Sequence, residues 1–177
     1  MRIIAGKFKG RVLHPPKGLP VRPTTDFAKT ALFNILSNRI DFEECKVLDL
    51  FAGTGSISFE FSSRGCPKVV AVDKDFGCIR FIKETTEKLG IIGLSANKAD
   101  VFGFIKTYSG SFDLIFCDPP YDLEKLDSIP DALFSTNLLS EGGILLLEHP
   151  GRVDFSKHPN FREHRNYGKV NFSFFER

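Results

Sequence analysis

Val47-Leu48-Asp49-Leu50-Phe51-Ala52-Gly53-Thr54-Gly55 is an apolar run, broken by one acid and stopped by a glycine-rich turn. A short apolar run bounded by turn residues reads as a buried strand, and the pattern after it reads as a helix ending near Arg64. Gly53 and Gly55 let the chain turn tightly and let a ligand approach the backbone. The turn is not the G-x-G-x-x-G of a dinucleotide fold, because Ser58 stands in the third position. Asp49, read as lying at the strand end, would repel a pyrophosphate and suits a ligand carrying an ammonium group.

Outward from this unit, strand and helix alternate. Strands are expected at 46–51, 68–72, 91–99, 112–117 and 143–148, the last behind a Gly142-Gly143 turn. Helices are expected at 76–88, 101–108 and 124–138. Segments 161–165 and 170–175 flank Asn166-Tyr167-Gly168-Lys169 and read as a terminal hairpin. This is an α/β chain with a mainly parallel, doubly wound sheet. Before it, 2–6 and 10–14 look like two short strands around a Lys7-Phe8-Lys9 turn. A proline-rich loop follows, then a helix capped by Thr24 or Thr25 and running to about Asn38. Residues 1–40 are accordingly read as an N-terminal hairpin-and-helix extension on a body of 41–177, the two forming one unit.

Carboxylates close the strands of this body. Asp49, Asp73, Asp100 and Asp118 end the first four in turn. An acid about 20 residues beyond a glycine turn is where nucleoside-binding α/β folds grip a ribose diol. Singly, Asp73 or Asp100 reads equally well as a helix N-cap. In register, the four suit S-adenosylmethionine, which is cationic at sulfur and ammonium and carries a ribose diol and an adenine amine. The fourth acid opens Asp118-Pro119-Pro120-Tyr121. Prolines fix φ and donate no N–H, so the carbonyls there are expected to be rigid and free. Asp118 adds an acceptor and Tyr121 a flat face, a combination suited to a planar heterocycle with an exocyclic amine. The plainer reading is a strand ending in a proline turn.

The chain has 177 residues, enough for one well-cored domain, with 42% hydrophobic and 26% charged residues. No apolar run approaches the length of a membrane span, and no secretory signal is read at the N-terminus. Cys45, Cys66, Cys78 and Cys117 show no paired spacing, so neither a disulfide framework nor a zinc site is expected. A reducing cytoplasm fits such usage. Charge is uneven. Residues 1–40 carry Arg2, Lys7, Lys9, Arg11, Lys17, Arg22, Lys29 and Arg39 against Asp26 alone, a net +7 that leaves −5 for the rest. A basic arm on a slightly acidic body is the footprint of a nucleic-acid partner, although such arms are often only solvated surface.

With these residues assembled, the sequence resembles a known family. The Asp49-x-Phe51-x-Gly53-x-Gly55 and Asp118-Pro119-Pro120-Tyr121 motifs resemble those of amino-directed nucleic-acid methyltransferases. Arg2-Ile3-Ile4-Ala5-Gly6, Gly10-Arg11, Arg22-Pro23-Thr24-Thr25-Asp26, Ala31-Leu32-Phe33-Asn34 and Tyr167-Gly168 are similar to the bacterial enzymes that methylate guanine N2 in small-subunit ribosomal RNA. Phe27 and Thr30 depart from that family's Arg and Glu, while Lys29 keeps its charge.

The resemblance implies a Rossmann-like sheet of seven strands with an antiparallel C-terminal hairpin. It implies S-adenosylmethionine held by Asp49, Phe51, Gly53, Gly55, Asp73, Lys74, Asp100 and Val101, and catalysis at Asp118, Pro119, Pro120 and Tyr121. RNA contacts fall to Arg2, Lys7, Lys9, Arg11, Arg22 and Thr24. The partner would be ribosomal RNA, free or in an assembling small subunit, and the enzyme a monomer needing no metal. An adenine-N6 methyltransferase would use the same acceptor pair. A non-catalytic RNA-binding assembly factor would show damage to the glycine turn or to Asp118, and none is present. A nicotinamide oxidoreductase would want the third glycine.

Overall fold

The computed structural model describes residues 1–19, 26–168 and 170–177. Among these, seven strands join in one sheet: β1 (Lys46–Leu50), β2 (Lys68–Asp73), β3 (Leu94–Lys98), β4 (Phe112–Cys117), β5 (Leu139–His149), β6 (Phe161–Tyr167) and β7 (Val170–Glu176). The helices are α1 (Asp26–Leu36), α2 (Ser56–Ser63), α3 (Phe76–Leu89), α4 (Val101–Thr107) and α5 (Ile129–Phe134). The sheet runs β3-β2-β1-β4-β5-β7-β6. β7 is antiparallel to both β5 and β6, and the other pairs are parallel.

The central strands are continuous apolar runs because both of their faces are covered. Val47, Val69, Ala71, Leu114, Phe116 and Leu146 point to one face, against Leu32, Phe33, Phe59, Phe61 and Ile82. Leu48, Leu50, Val70, Val72, Ile115 and Leu147 point to the other, against Phe104, Ile105, Ile129 and Leu133. No helix among the described residues is long and apolar enough to cross a membrane.

Several local expectations change. The helix expected at 124–138 is a 3-10 turn, Leu126–Ser128, followed by the six residues of α5. Pro130 explains the late start, since proline is tolerated only in a helix's first turn. Ser135 and Thr136 bond back to the carbonyls of Ala132 and Leu133 and end it. β5 begins at Leu139 rather than after the glycines, and its pairing with β4 slips between Phe112 and Leu114. Gly142, with φ of 72°, is part of that irregularity, so the Gly-Gly pair marks a bulge and not a turn. β3 is shorter than expected and begins only after Gly93, whose φ of 87° is outside the strand conformation.

The N-terminal hairpin is reduced to one bridge, Arg2 with Val12, supported by Ile3 N to Arg11 O at 3.0 Å and Leu13 N to Met1 O at 2.8 Å. Its Ile3 and Leu13 are buried in the same core as β1. The capping threonines at 24 and 25 lie outside the described residues.

Candidate active site

β1 lies between β2 and β4, so the chain leaving β1 goes one way along the sheet and β4 returns on the other side. Open α/β sheets bind ligands in the crevice outside such a switch point. The loops there are stitched together by backbone bonds. Ala52 N donates to Val72 O at 3.0 Å, Ala99 N to Asp73 O at 3.0 Å, and Asp118 N to Leu50 O at 3.4 Å. The glycine turn and the Asp118-Pro119-Pro120-Tyr121 segment are thereby brought to one rim.

Phe51 enters the turn with φ of 61°, left-handed backbone that a bulky residue rarely adopts. Such a conformation costs about 1–2 kcal/mol, and here it aims the chain into Gly53 and Gly55, with φ of 53° and 78°. Asp73 holds the turn. Its carboxylate accepts from Gly53 N and from Asp75 N, each at 2.8 Å. The cap of α3 is Asp75, which accepts from Cys78 N at 2.8 Å, so Asp73 is not spent as a cap. Asp100 is exposed and does cap α4, accepting from Gly103 N at 2.9 Å. Beside them, Val101 is buried and Lys74 is exposed.

Asp49 is not at the strand end. It is the fourth residue of β1, flanked by Ala71 and Phe116, and is 1% exposed. The Ser58 hydroxyl donates to its carboxylate, which gives the departure from the third glycine a purpose. Burial pushes the Asp49 carboxyl up from 3.8 to about 7, with the nearby Asp73 charge adding to the rise and the Ser58 bond opposing it. The folded protein therefore binds a proton here that the unfolded chain has lost. Stability from this group is full below pH 3.8 and declines as pH rises towards 7. Asp49→Asn should remove that decline, so the melting temperature of the variant should gain on the wild type between pH 5 and pH 8. Parallel melting curves across that range would contradict the assignment.

Asp118 is half-buried, Pro119 buried and Pro120 exposed. The expectation of free proline carbonyls holds no longer for Pro120, whose oxygen accepts from Leu123 N at 3.0 Å and closes a turn. The Tyr121 phenol donates to Glu148 Oε1 at 3.0 Å, and the Arg152 guanidinium donates to the Tyr121 carbonyl. Neither Glu148 nor Arg152 was singled out from sequence. Glu148 had a readable signal, being an acid near the end of Ile144-Leu145-Leu146-Leu147 like the four acids before it.

The basic arm is built into the fold. Glu60, fully buried on α2, accepts from Ile4 N at 2.8 Å, Ala5 N at 3.1 Å and Arg64 Nε at 3.0 Å. Lys29, 1% exposed, stands 3.9 Å from Glu60 and donates to Ser56 Oγ at 3.2 Å and to the Arg2 carbonyl. Burial lowers the Lys29 ammonium from its usual range, and Glu60 works against that. The count of +7 therefore overstates the surface charge. Lys29 is internal and Arg39 pairs with Glu163, while the Arg2–Asp26 pair, 3.7 Å apart, is already netted in the count. Lys7, Lys9 and Arg11 are exposed, whereas Arg22 and Thr24 lie outside the described residues. No group of three or more His, Cys, Asp or Glu among the described residues could hold a metal ion.

A family profile described as conserved hypothetical protein 95 matches residues 1–176. The chain belongs to this family. Among relatives, YlbH of Bacillus subtilis (strain 168) is 35% identical over 160 residues, 87% of this chain and 85% of its own. The ribosomal RNA small subunit methyltransferase D of Haemophilus influenzae is 33% identical over 155 residues, 84% of this chain and 78% of its own. A solved structure of a hypothetical protein from Thermus thermophilus superposes with a TM-score of 0.84 at 31% identity, covering 100% and 99% of the two chains. The fold is the Rossmann-like one of methyltransferases. It is shared at a TM-score of 0.72 and 21% identity with a Thermus thermophilus 16S rRNA guanine-N2 methyltransferase, over 90% of this chain and 45% of that one.

Proposed function

We propose that this protein transfers a methyl group from S-adenosylmethionine to the exocyclic N2 amine of a guanine in small-subunit ribosomal RNA. The observation that carries the reading is the tie of Asp118 N to Leu50 O, which sets an amine-accepting motif beside the glycine turn in a chain of this family. When bound, the cofactor supplies an electrophilic methyl group on a sulfonium. The residues present fit it. An ionised carboxylate offers about four lone-pair positions, so Asp73, with two backbone donors, keeps capacity for the ribose hydroxyls. Asp49 places latent negative charge beneath the turn, and a cationic ligand there favours its ionised form.

The guanine amine is a weak nucleophile because its lone pair is delocalised into the ring. Asp118 and the Pro119 carbonyl accept its two N–H groups, which draws density onto nitrogen and aims the lone pair. Near-attack positioning of this kind is worth roughly 7–11 kcal/mol. Asp118 then takes the released proton. Tyr121 stacks on the base once it leaves its helix or loop. Arg2, Lys7, Lys9 and Arg11 contact phosphates, which gives affinity without sequence information. The protein works as a cytoplasmic monomer, a compartment consistent with its four buried free cysteines.

The test is nucleoside mass spectrometry of 16S rRNA, free and in small subunits, after incubation with isotopically labelled S-adenosylmethionine. N2-methylguanosine is expected. N6-methyladenosine would reassign the base, and no labelled nucleoside would overturn the reading. Charge reversal of Lys7 and Lys9 should lower yield at fixed salt, flatten the salt dependence of binding and leave the methylated position unchanged.

A further inference from the structure

Tyr121 is held from two sides by residues outside its own motif. Its phenol donates to Glu148 Oε1 at 3.0 Å, and its carbonyl accepts from Arg152. Glu148 is 7% exposed and sits on β5 opposite Phe172 of β7, so its backbone is fixed on the sheet. Cys117 of β4 pairs with Leu147 of β5. Asp118 and Glu148 are therefore successive residues after the same rung of the ladder, on adjacent parallel strands. A side chain that turns about its Cβ is poorly defined as a stacking surface. One anchored at its far end by a buried carboxylate has a set tilt, and because conjugation keeps the phenol O–H in the ring plane, the direction of that carboxylate also sets the ring's rotation.

We propose that Glu148 is a positioning residue for methyl transfer, fixing the plane of the Tyr121 ring so that a base stacked on it presents its amine to Asp118. The proposal rests on the reading of Tyr121 as the stacking face. Glu148 acts through the phenol and not on the substrate. Its loss therefore degrades base orientation and leaves cofactor binding alone.

The experiment is a double-mutant cycle of Glu148→Leu, which removes the acceptor, and Tyr121→Phe, which breaks the same bond from the other end. Glu148→Leu is expected to lower kcat/KM for RNA by roughly tenfold, the value of one charged hydrogen bond. S-adenosylmethionine affinity should be unchanged, and Glu148→Leu should add nothing in the Tyr121→Phe background. A second readout needs no turnover. The chain has no Trp and 3 Tyr, so tyrosine emission is directly visible. A carboxylate acceptor quenches a phenol, so Glu148→Leu should brighten emission, but not when Tyr121 is Phe. Equal losses in both backgrounds would overturn the proposal, as would an unchanged kcat/KM whatever the emission does. A shift in the acidic limb of the pH profile would make Glu148 a proton acceptor and also overturn it. Wild-type protein that methylates no RNA would instead sink the functional reading, a result distinct from an active wild type with an additive cycle.

Discussion

Asp118→Ala is expected to lower turnover by roughly two to four orders of magnitude, the range for a positioned acid–base group, with S-adenosylmethionine affinity nearly intact. The carboxylate is half-buried at the mouth of β4, and its own amide is bound to Leu50 O at 3.4 Å. The backbone at this position should survive the substitution, so the loss should fall on the chemical step. In kinetic terms kcat and kcat/KM should fall together. Asp118→Asn separates two roles, since it keeps an acceptor and cannot take a proton. Substantial activity in the Asn variant would mean that orientation dominates. An Ala variant as active as the wild type would remove Asp118 from the chemistry.

Glu60→Ala should be among the most destabilising single changes. It removes the acceptor of two backbone amides, Ile4 and Ala5, and of Arg64 Nε, and strips Lys29 of its buried counter-charge. Breaking a buried pair from one side costs about 3–5 kcal/mol. For a chain of this size each kcal/mol moves Tm by roughly 2–4 °C, so a fall on the order of 10 °C is expected in a thermal melt. Replacing both partners, Glu60→Leu with Lys29→Met, should recover part of it, because Lys29 is then not left as an unpaired buried charge. A Tm unchanged in Glu60→Ala would show that water replaces the carboxylate without penalty.

Much of the sheet was legible because buried parallel strands are unbroken apolar runs, and β4 falls where Phe112-Asp113-Leu114-Ile115-Phe116-Cys117 placed it. The strand-end acids were legible at Asp73, which ends β2, and at Asp118, which follows β4 directly. Elements set by tertiary contacts were not. The slip of β5 against β4 depends on a bulge, and no periodicity announces one. Pro130 carried a usable signal for α5, being intolerable deep inside a helix. Asp49 was placed one residue too far along β1, and that single step separates a rim carboxylate from an enclosed one. Lys29 was counted with the surface charges of the arm because its partner, Glu60, lies 31 positions further along the chain. A local window cannot see such a pair.

The arm is gripped through its peptide groups. Ile4 and Ala5 bond Glu60 by their amides, Lys7 N donates to Ser63 O at 2.7 Å, and Phe8 N donates to Ser63 Oγ at 3.0 Å. Every non-proline residue has an N–H, so the route of the segment is indifferent to most of the side chains it carries. Gly6 is the exception, since a Cβ there would stand 1.8 Å from Ser63 O. Inheritance is thus divided within a few residues. Gly6, Glu60 and Ser63 are frozen by geometry, while positions 2, 7, 9 and 11 are open to drift. A lineage can rewrite the outward chemistry of this edge without refolding the protein.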